Sequence, residues 1–598
     1  MTEAEPAELV LRDLIDALLQ ENLYGVADAL LVDTPAPRPE GGLAAGERWC
    51  RIPLPDGWLA FRGRDGGGLQ AYRLSRAPVW HGSAHVEPQT VGPDEVLTLL
   101  TRLQHESGAT QAIAADLRAA VVHTGTTLAD WAGLPDRSPR PGSMLAAERM
   151  AATRNRPFHP TARAVGGWSA TELSRYGPMR RGALGMPWIA VRRERLRHGS
   201  GEDSHRLEHL VLDDVDLGLL AGAARHAGVS FDDYQPLPVH PWQAEHVLPE
   251  LYASELARRD VVPLARDLGR CHATSSLRTL ITCPEAERHL KLPLGVATLG
   301  AARLLPPRYL DNAERAERTM RQLIERDDGL RELVMLCDEN TWCGWRDPVG
   351  GDEFDDRPGQ LAAQIRRYPA GVLDAEALVL PMAALAAHEW PILETALAAA
   401  GFTDPVAFFR ALAEAFCSLA FGFLRYGVLP ELHGQNVLVM LANGRVTQFV
   451  LRDHDTLRLY PEWLRAAGVP DPGYRIKPGA PQSLHLSSAE ELLGYAQTLG
   501  FQVNLYGIAD AMVRHYGIDE LTLWHELRES IAAGVGVLPA HVAELVSSQV
   551  LRAPEWPSRQ VLGPLLRRGR SAGVSMPASA GRVPNPLLAA QRVRTVVG

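Results

Sequence analysis

The chain has 598 residues, 46% of them hydrophobic and 22% charged, with a formal net charge of -10. That length exceeds one hydrophobic core and predicts roughly three or four domain-sized units, in a composition far from the disordered or fibrous classes. The acidic balance provides no global positive field for polyphosphate backbones, so nucleic acid is excluded as the expected partner.

The first residues, MTEAEPAELVLRDLIDALLQ, carry acids where a secretory signal needs lysines or arginines, which predicts a cytoplasmic protein. Leu11, Leu14, Ile15, Leu18 and Leu19 recur at helical spacing and predict one buried stripe. Turn-rich stretches, "TPAPRPEGG" and "RGRDGGG", then flank probable short strands such as "GWLAFRG". We assign residues 1–140 to a first domain, 141–390 to a second of mixed strands and helices, and 391–598 to a third. Nowhere do the ~18 uninterrupted apolar residues of a membrane span occur. Cys50, Cys271, Cys283, Cys337, Cys343 and Cys417 form no CxxC pair, as expected of reduced thiols rather than a disulfide framework or zinc site.

In the second domain, "HATSSLRTLITCPEAERHLKLPL" (272–294) reads as strand, turn at "PEAE", strand. Ser275, Ser276, Arg278 and Thr279 stand at its head. A turn centred between Glu285 and Ala286 would set Lys291 opposite Leu280, on the sheet face of Arg278. Arg303 follows in "GAARLLP". Hydroxyls with fixed cations suit a triphosphate, although TSSLRT reads equally well as a polar edge strand. The acidic loop "DPVGGDEFDDRPGQ" (347–360) is expected to be exposed.

Two apolar helices are expected next, over "AEALVLPMAALAAHEWPILETALAAAG" and "TDPVAFFRALAEAFCSLAFGFLRYG", the second capped by Thr403. In "PELHGQNVLVMLANGRVTQFVLRDHD" (430–455), Asn443-Gly444 predicts a tight hairpin turn. Such a hairpin would bring Glu431, His433, Gln435 and Asn436 to the same end as Asp453 and Asp455. Oxygen ligands of this kind suit Mg²⁺ shared with substrate phosphates, and His433 and Gln435 could donate to phosphate oxygens. The alternative is purely structural: acids capping turns and a histidine satisfying a carbonyl. The tail from about 569 looks irregular.

"HPWQ" (240–243), "ATSSLRTL" (273–280), "KLPL" (291–294), "ELHGQN" (431–436) and "LRDHD" (451–455), in this order and spacing, resemble the IucA/IucC family of siderophore synthetases that work independently of nonribosomal peptide synthetases. The likeness runs from about residue 140 to "NPL" at 585–587. It implies an α+β multidomain cupped hand of thumb, fingers and partly kinase-like palm, with ATP in the cleft between the last two. It further implies adenylation of a citrate-like carboxylic acid, then transfer of the acyl group to an amine or alcohol, often by a homodimer. Carried over by position, Ser276, Arg278, Thr279, Lys291, Arg303, His433 and Asn436 would contact the ATP phosphates or the acyl-phosphate centre, with Ser275 and Gln435 beside them. Glu431 and Asp453 would hold Mg²⁺, with Asp455 or Asn436 as additional ligands.

The acid pocket departs from the family pattern. "NRPFHPTARAV" (155–165) matches a stretch usually written GHPxHPxxKxR. His159 is kept, the usual Lys is Arg163, the usual Arg is Val165, and Arg156 offers a cation at the first His position. His240 reads equally as site or scaffold. Thr298 lies five residues before Arg303, where the family has four. The replacements at Arg163 and Val165, with Arg156, predict an acid with fewer or differently placed carboxylates than citrate. Two other readings compete: a kinase-like phosphotransferase, which the missing acid in His433-Gly434-Gln435-Asn436 disfavours, and a non-catalytic nucleotide-binding regulator.

Overall fold

The computed structural model describes residues 5–38, 42–102, 108–285, 287–348, 352–373, 376–387, 392–442, 444–479, 482–568 and 578–597. The first apolar stripe forms the helix Pro6–Gln20, with Leu11, Leu14, Ile15, Leu18 and Leu19 all buried. It packs with Gly108–Ala132 against a five-stranded antiparallel meander running from Leu31–Val32 to Gln89–Val91. The same apolar cluster takes in Leu562, Leu565 and Leu566 from near the other end of the chain.

The central layer is an eight-stranded antiparallel sheet in the order Leu196–His198, Asp338–Trp345, Ala362–Arg367, Arg288–Lys291, Thr279–Thr282, Val261–Ala273, Leu184–Arg192, Tyr234–Pro238. A third sheet pairs Val334–Leu336 (parallel) with Arg445–Leu451, then Val437–Ala442 and Leu378–Pro381. Its core helix, Pro405–Leu424, is long and apolar enough to cross a membrane by length and composition. It buries one face, with Phe408, Leu412, Phe416, Leu419 and Phe423 fully buried in the largest apolar cluster among the described residues, while Arg410, Glu414 and Ser418 are exposed on the other.

Four expectations are corrected. Leu378–Pro381 is a strand in the stretch read as one long helix: Leu-Val-Leu fits a buried strand, and Pro381 forbids continuation of a helix through it. Helical structure resumes over Met382–Leu385 and Ile392–Ala399. The cap of Pro405–Leu424 is Asp404, which accepts the Val406 N–H at 2.9 Å, and not Thr403. Beyond residue 577 the tail is ordered: Ser579–Pro584 pairs with Glu555–Gln560 and leads into the helix Pro586–Val597. Asn585 fixes that junction by donating to the Val550 and Ala553 carbonyls. The fourth correction, the register around Lys291, belongs to the site. Asn443 of the predicted turn lies outside the described residues.

Candidate active site

Two hairpins meet here. Val437 pairs with Leu451, so the loop before one strand and the loop after its partner lie side by side, as the Asn-Gly pattern predicts. Asn504, from the π-helical stretch Ala496–Leu505, donates to the Leu432 carbonyl at 3.1 Å and pins the first loop. In the other hairpin Lys291 sits opposite Thr279, one place from the expected Leu280. Thr282 and Arg288 bracket five residues, so the turn centres on Glu285. Arg278 leaves the strand alternation, because Leu277 takes a left-handed conformation (φ 67°) and the chain turns sharply between Ser276 and Arg278.

The hairpins enclose a cavity of ≈ 340 Å³. Ser275, Ser276, Arg278, Thr279, Lys291 and Arg303 line one side; Glu431, His433, Gln435, Asn436, Asp453 and Asp455 line the other. Arg156 reaches the same space. Gln435 Nε2 donates to Ser275 Oγ at 3.2 Å, and Lys291 Nζ donates to Asp453 Oδ1, so each hairpin holds the other. Asn436 Nδ2 and Thr456 Oγ1 donate to Glu431 Oε2 at 2.8 and 3.2 Å. Arg278 donates to the Leu304 carbonyl, and Arg303 to Thr298 through both its hydroxyl and its carbonyl.

Burial sets the charges. It lowers Arg303 to about 10, with Arg278 adding repulsion, and lowers Arg156 to about 9, with Arg559 adding more. Burial also lowers His433 to about 4, so its imidazole is neutral at pH 7. Its Nδ1 accepts the Gln435 N–H at 3.2 Å, which places the ring proton on Nε2. Burial alone would raise Asp453; the charges of Arg366 and Lys291 outweigh it and hold the carboxyl well below its usual range. Asp455 is pushed up to about 6 by burial, against the pull of Lys291 and with Asp453 and Glu431 repelling it.

Not every expected residue reaches this cavity. Arg163 donates to the Thr153 carbonyl at 2.9 Å and lies 3.8 Å from Asp13, in a separate charged cluster. His240 caps the helix Pro241–His246 by accepting the Trp242 N–H and lies against Trp168 and Tyr176, which is the scaffold reading of HPWQ. Val165 belongs to the apolar cluster of Trp168 and Tyr176. His159 is buried outside the cavity lining, and among the described residues its Nε2 has no hydrogen-bond partner.

Sequence reasoning missed the residues that hold this arrangement. Glu339 accepts from Arg366 and from the Asp453 N–H, fixing the left-handed Asp453 backbone. Glu148 accepts from Ser275 and from Arg452, which also donates to the Gln435 carbonyl. Arg452 stood inside "LRDHD" and could have been read as a buried strut; Glu148, Glu339 and Arg366 lie in stretches with no motif. Arg458 and Arg559 complete the cationic wall.

The acidic side fits a hard cation. Three carboxylates, Glu431, Asp453 and Asp455, line the same cavity, and oxygen donors of this kind suit a divalent ion. Among the described residues no group of three or more His, Cys, Asp or Glu side chains stands ready to enclose a metal. The protein would therefore supply part of the coordination sphere, leaving the rest to water and phosphate, as Mg²⁺ prefers.

The sequence profile of the IucA / IucC family matches residues 143–387, and that of the ferric iron reductase FhuF-like transporter matches residues 407–572. The staphyloferrin B synthase of Staphylococcus aureus is 32% identical over 97% of both chains. The chain belongs to the IucA/IucC family of siderophore synthetases. The fold agrees with that membership. The petrobactin biosynthesis protein AsbB from Bacillus anthracis superposes with a TM-score of 0.78 at 17% identity, over 98% of this chain and 97% of that one. ATP-bound aerobactin synthetase IucA from Klebsiella pneumoniae gives 0.72 at 18% identity, over 97% and 99%. The expected multidomain α+β architecture of this family is the one observed.

Proposed function

We propose that this protein is an ATP-dependent, AMP-forming carboxylate–amine ligase of siderophore or related metallophore assembly. The observation that carries the reading is the meeting of three cations, Arg278, Lys291 and Arg303, with three carboxylates, Glu431, Asp453 and Asp455, around one cavity. Cations opposite a metal-binding carboxylate wall match a nucleotide's phosphate tail. The 32% identical staphyloferrin B synthase places a siderophore assembly enzyme over almost the whole chain length.

The acid's carboxylate attacks the α-phosphorus, the bond to the β-phosphate oxygen breaks, and pyrophosphate leaves. Arg278 and Arg303 offset negative charge at the transition state, and the neutral His433 offers its Nε2 proton to a phosphate oxygen. Glu431, Asp453 and Asp455 would hold Mg²⁺, which supplies charge neutralisation and leaving-group stabilisation. An amine or alcohol then attacks the acyl-adenylate, AMP departs, and Lys291 stabilises the tetrahedral oxyanion. Gln435 occupies the position where a phosphotransferase would carry its base, and its amide donates to Ser275; an ionised carboxylate acceptor needs no base there. Family resemblance supports a cytoplasmic homodimer, which light scattering tests.

The deciding experiment screens citrate, succinate derivatives, 2-oxoglutarate and amino-acid carboxylates for acid-dependent pyrophosphate release, with hydroxylamine as trapping nucleophile. AMP, pyrophosphate and a hydroxamate are expected. Release of ADP would overturn the ligase in favour of a phosphotransferase, and ATP binding without turnover would favour the regulator.

A further inference from the structure

Glu148 is fully buried on the helix Leu145–Arg154 and belongs to neither hairpin of the cavity. Its two oxygens have different partners. Oε1 accepts from Arg452 Nη1 at 2.6 Å, while Oε2 accepts from Ser275 Oγ at 3.0 Å and has the Ser275 N–H at 3.4 Å. Arg452 and Ser275 lie 304 and 127 residues away along the chain. Both lead to Gln435. Arg452 Nε donates to the Gln435 carbonyl at 2.9 Å, and Gln435 Nε2 donates to Ser275 Oγ at 3.2 Å. One carboxylate therefore holds Gln435 by its backbone through a guanidinium and by its side chain through a hydroxyl.

The direction of the hydrogen bonds is fixed from the buried end. A carboxylate paired with a guanidinium only accepts, so Ser275 spends its single hydroxyl proton on Glu148. What remains on that hydroxyl for Gln435 is a lone pair. The amide must then present its NH2 group and not its oxygen, a choice that the shape of a glutamine side chain leaves open. One N–H of that group goes to Ser275. The second is left over, on a residue that lines the cavity.

We propose that Glu148 is a positioning residue for the nucleotide: through Ser275 it fixes the Gln435 amide as a hydrogen-bond donor to a phosphate oxygen. This rests on the ligase reading above. Ser275 then gives no proton to the phosphate, and its hydroxyl serves as the link. Replacing the carboxylate by an amide should reverse the chain. In Glu148→Gln the new side chain turns its oxygen to Arg452, which can only donate, and its NH2 group to Ser275 Oγ. The hydroxyl accepts there, donates onward, and draws the Gln435 oxygen to the place its nitrogen now holds. The phosphate loses a donor and meets a lone pair.

The test is ATP affinity, read by calorimetry with Mg²⁺ present, for the full native chain and for Glu148→Gln and Ser275→Ala, each alone and combined with Gln435→Ala. Glu148→Gln is expected to weaken ATP binding about 10- to 100-fold, the weight of a hydrogen bond to a charged group, with KM for the acid unchanged in ATP–pyrophosphate exchange. Ser275→Ala, which frees the amide without reversing it, should cost about 5-fold. On top of Gln435→Ala neither change should add more than about twofold, because both act through residue 435. Full effects in that background would mean that Ser275 meets the phosphate itself or that Glu148 only holds the fold, and either result overturns the proposal, as does unchanged ATP affinity in Glu148→Gln. Should Glu148→Gln fail to fold, the Ser275 and Gln435 pair decides: additive losses overturn the positioning role, and non-additive losses support it. Native protein that binds ATP but supports no exchange with any acid would sink the ligase reading, while the calorimetric cycle still decides the role of Glu148. A native chain that binds no ATP overturns both.

Discussion

Lys291, at the end of one hairpin, donates to the carboxylate of Asp453, which follows a second hairpin 162 residues further along the chain. This contact closes the cavity between the two ribbons. Asp453 is also held by Arg366, so a neutral residue at 291 leaves the aspartate one cationic partner, whereas removing the aspartate strands two cations. Lys291→Met should keep the fold and lower pyrophosphate release about 100-fold or more. In a double-mutant cycle with Asp453→Asn, read by denaturation, the coupling should be roughly 1–3 kcal/mol. Additive single effects would show that the pair does not interact in solution.

His433 is held neutral by burial, with its proton on Nε2. Between pH 5 and 9 the ring should therefore show no titration by NMR and a single Nε2–H tautomer. His433→Ala removes a donor from the phosphate wall and should reduce acid-dependent pyrophosphate release by about 10²-fold, with His433→Gln partly recovering it. Arg278→Ala should cost as much or more, since the guanidinium is enclosed and fixed on the Leu304 carbonyl. Near-normal turnover by either alanine variant contradicts the assignment.

The pairing of polar clusters at one end of a hairpin was legible because alternation and Asn-Gly fix both register and turn, and Val437 opposite Leu451 follows directly. The register around Lys291 was not, because a five-residue turn and a four-residue turn shift the ladder by one while leaving the pattern of apolar residues alike. Leu378–Pro381 was misread for a related reason: a short apolar run has no period that tells strand from buried helix. Glu148, Glu339 and Arg366 escaped altogether. Each acts from a distant segment on a motif residue: Glu339 and Arg366 reach Asp453 from two strands of the eight-stranded sheet, and Glu148 reaches Ser275 from the helix Leu145–Arg154, partnerships that only the folded packing reveals. Conversely, Arg163 sits within a recognisable motif yet turns to Asp13, a partner on the N-terminal helix that sequence spacing cannot announce.

As a proposed Mg²⁺ ligand, Asp455 would tie metal binding to pH. Its carboxyl is pushed up to about 6 by burial, opposed by Lys291 and Arg278 and reinforced by Asp453 and Glu431. A carboxyl raised in the folded state keeps its proton there after the unfolded chain, near 3.8, has lost it. Its contribution to stability is therefore full below pH 3.8 and declines as pH rises to about 6. A bound cation requires the ionised form, so binding expels a proton below that point. Apparent Mg²⁺ affinity with ATP present should rise by up to tenfold per pH unit below about 6 and flatten above it. Asp455→Asn should weaken the affinity and remove the inflection. An inflection unchanged in that variant would assign the titration to another group.

Asp510 is the hub of the buried charge cluster beside the N-terminal helix. Fully enclosed, it takes Arg73 at 2.8 Å, Arg154 at 2.9 Å, and Arg64 and Arg514 at 3.2 Å. These arginines come from the N-terminal sheet, from the end of the helix Leu145–Arg154 and from the helix of Asp510 itself, so one carboxylate joins three parts of the fold. Arg73 retains Asp16, but among the described residues Arg154 keeps only the Ala386 carbonyl as a hydrogen-bond acceptor. Asp510→Ala leaves buried guanidinium charge uncompensated, which typically costs about 3–5 kcal/mol. Arg154 lies two residues before Arg156, so the loss should also loosen the acid end of the cavity and raise KM for the acid more than KM for ATP. Urea denaturation and steady-state kinetics on the same variant check both effects, and a stability change under about 1 kcal/mol would show that the cluster carries no such weight.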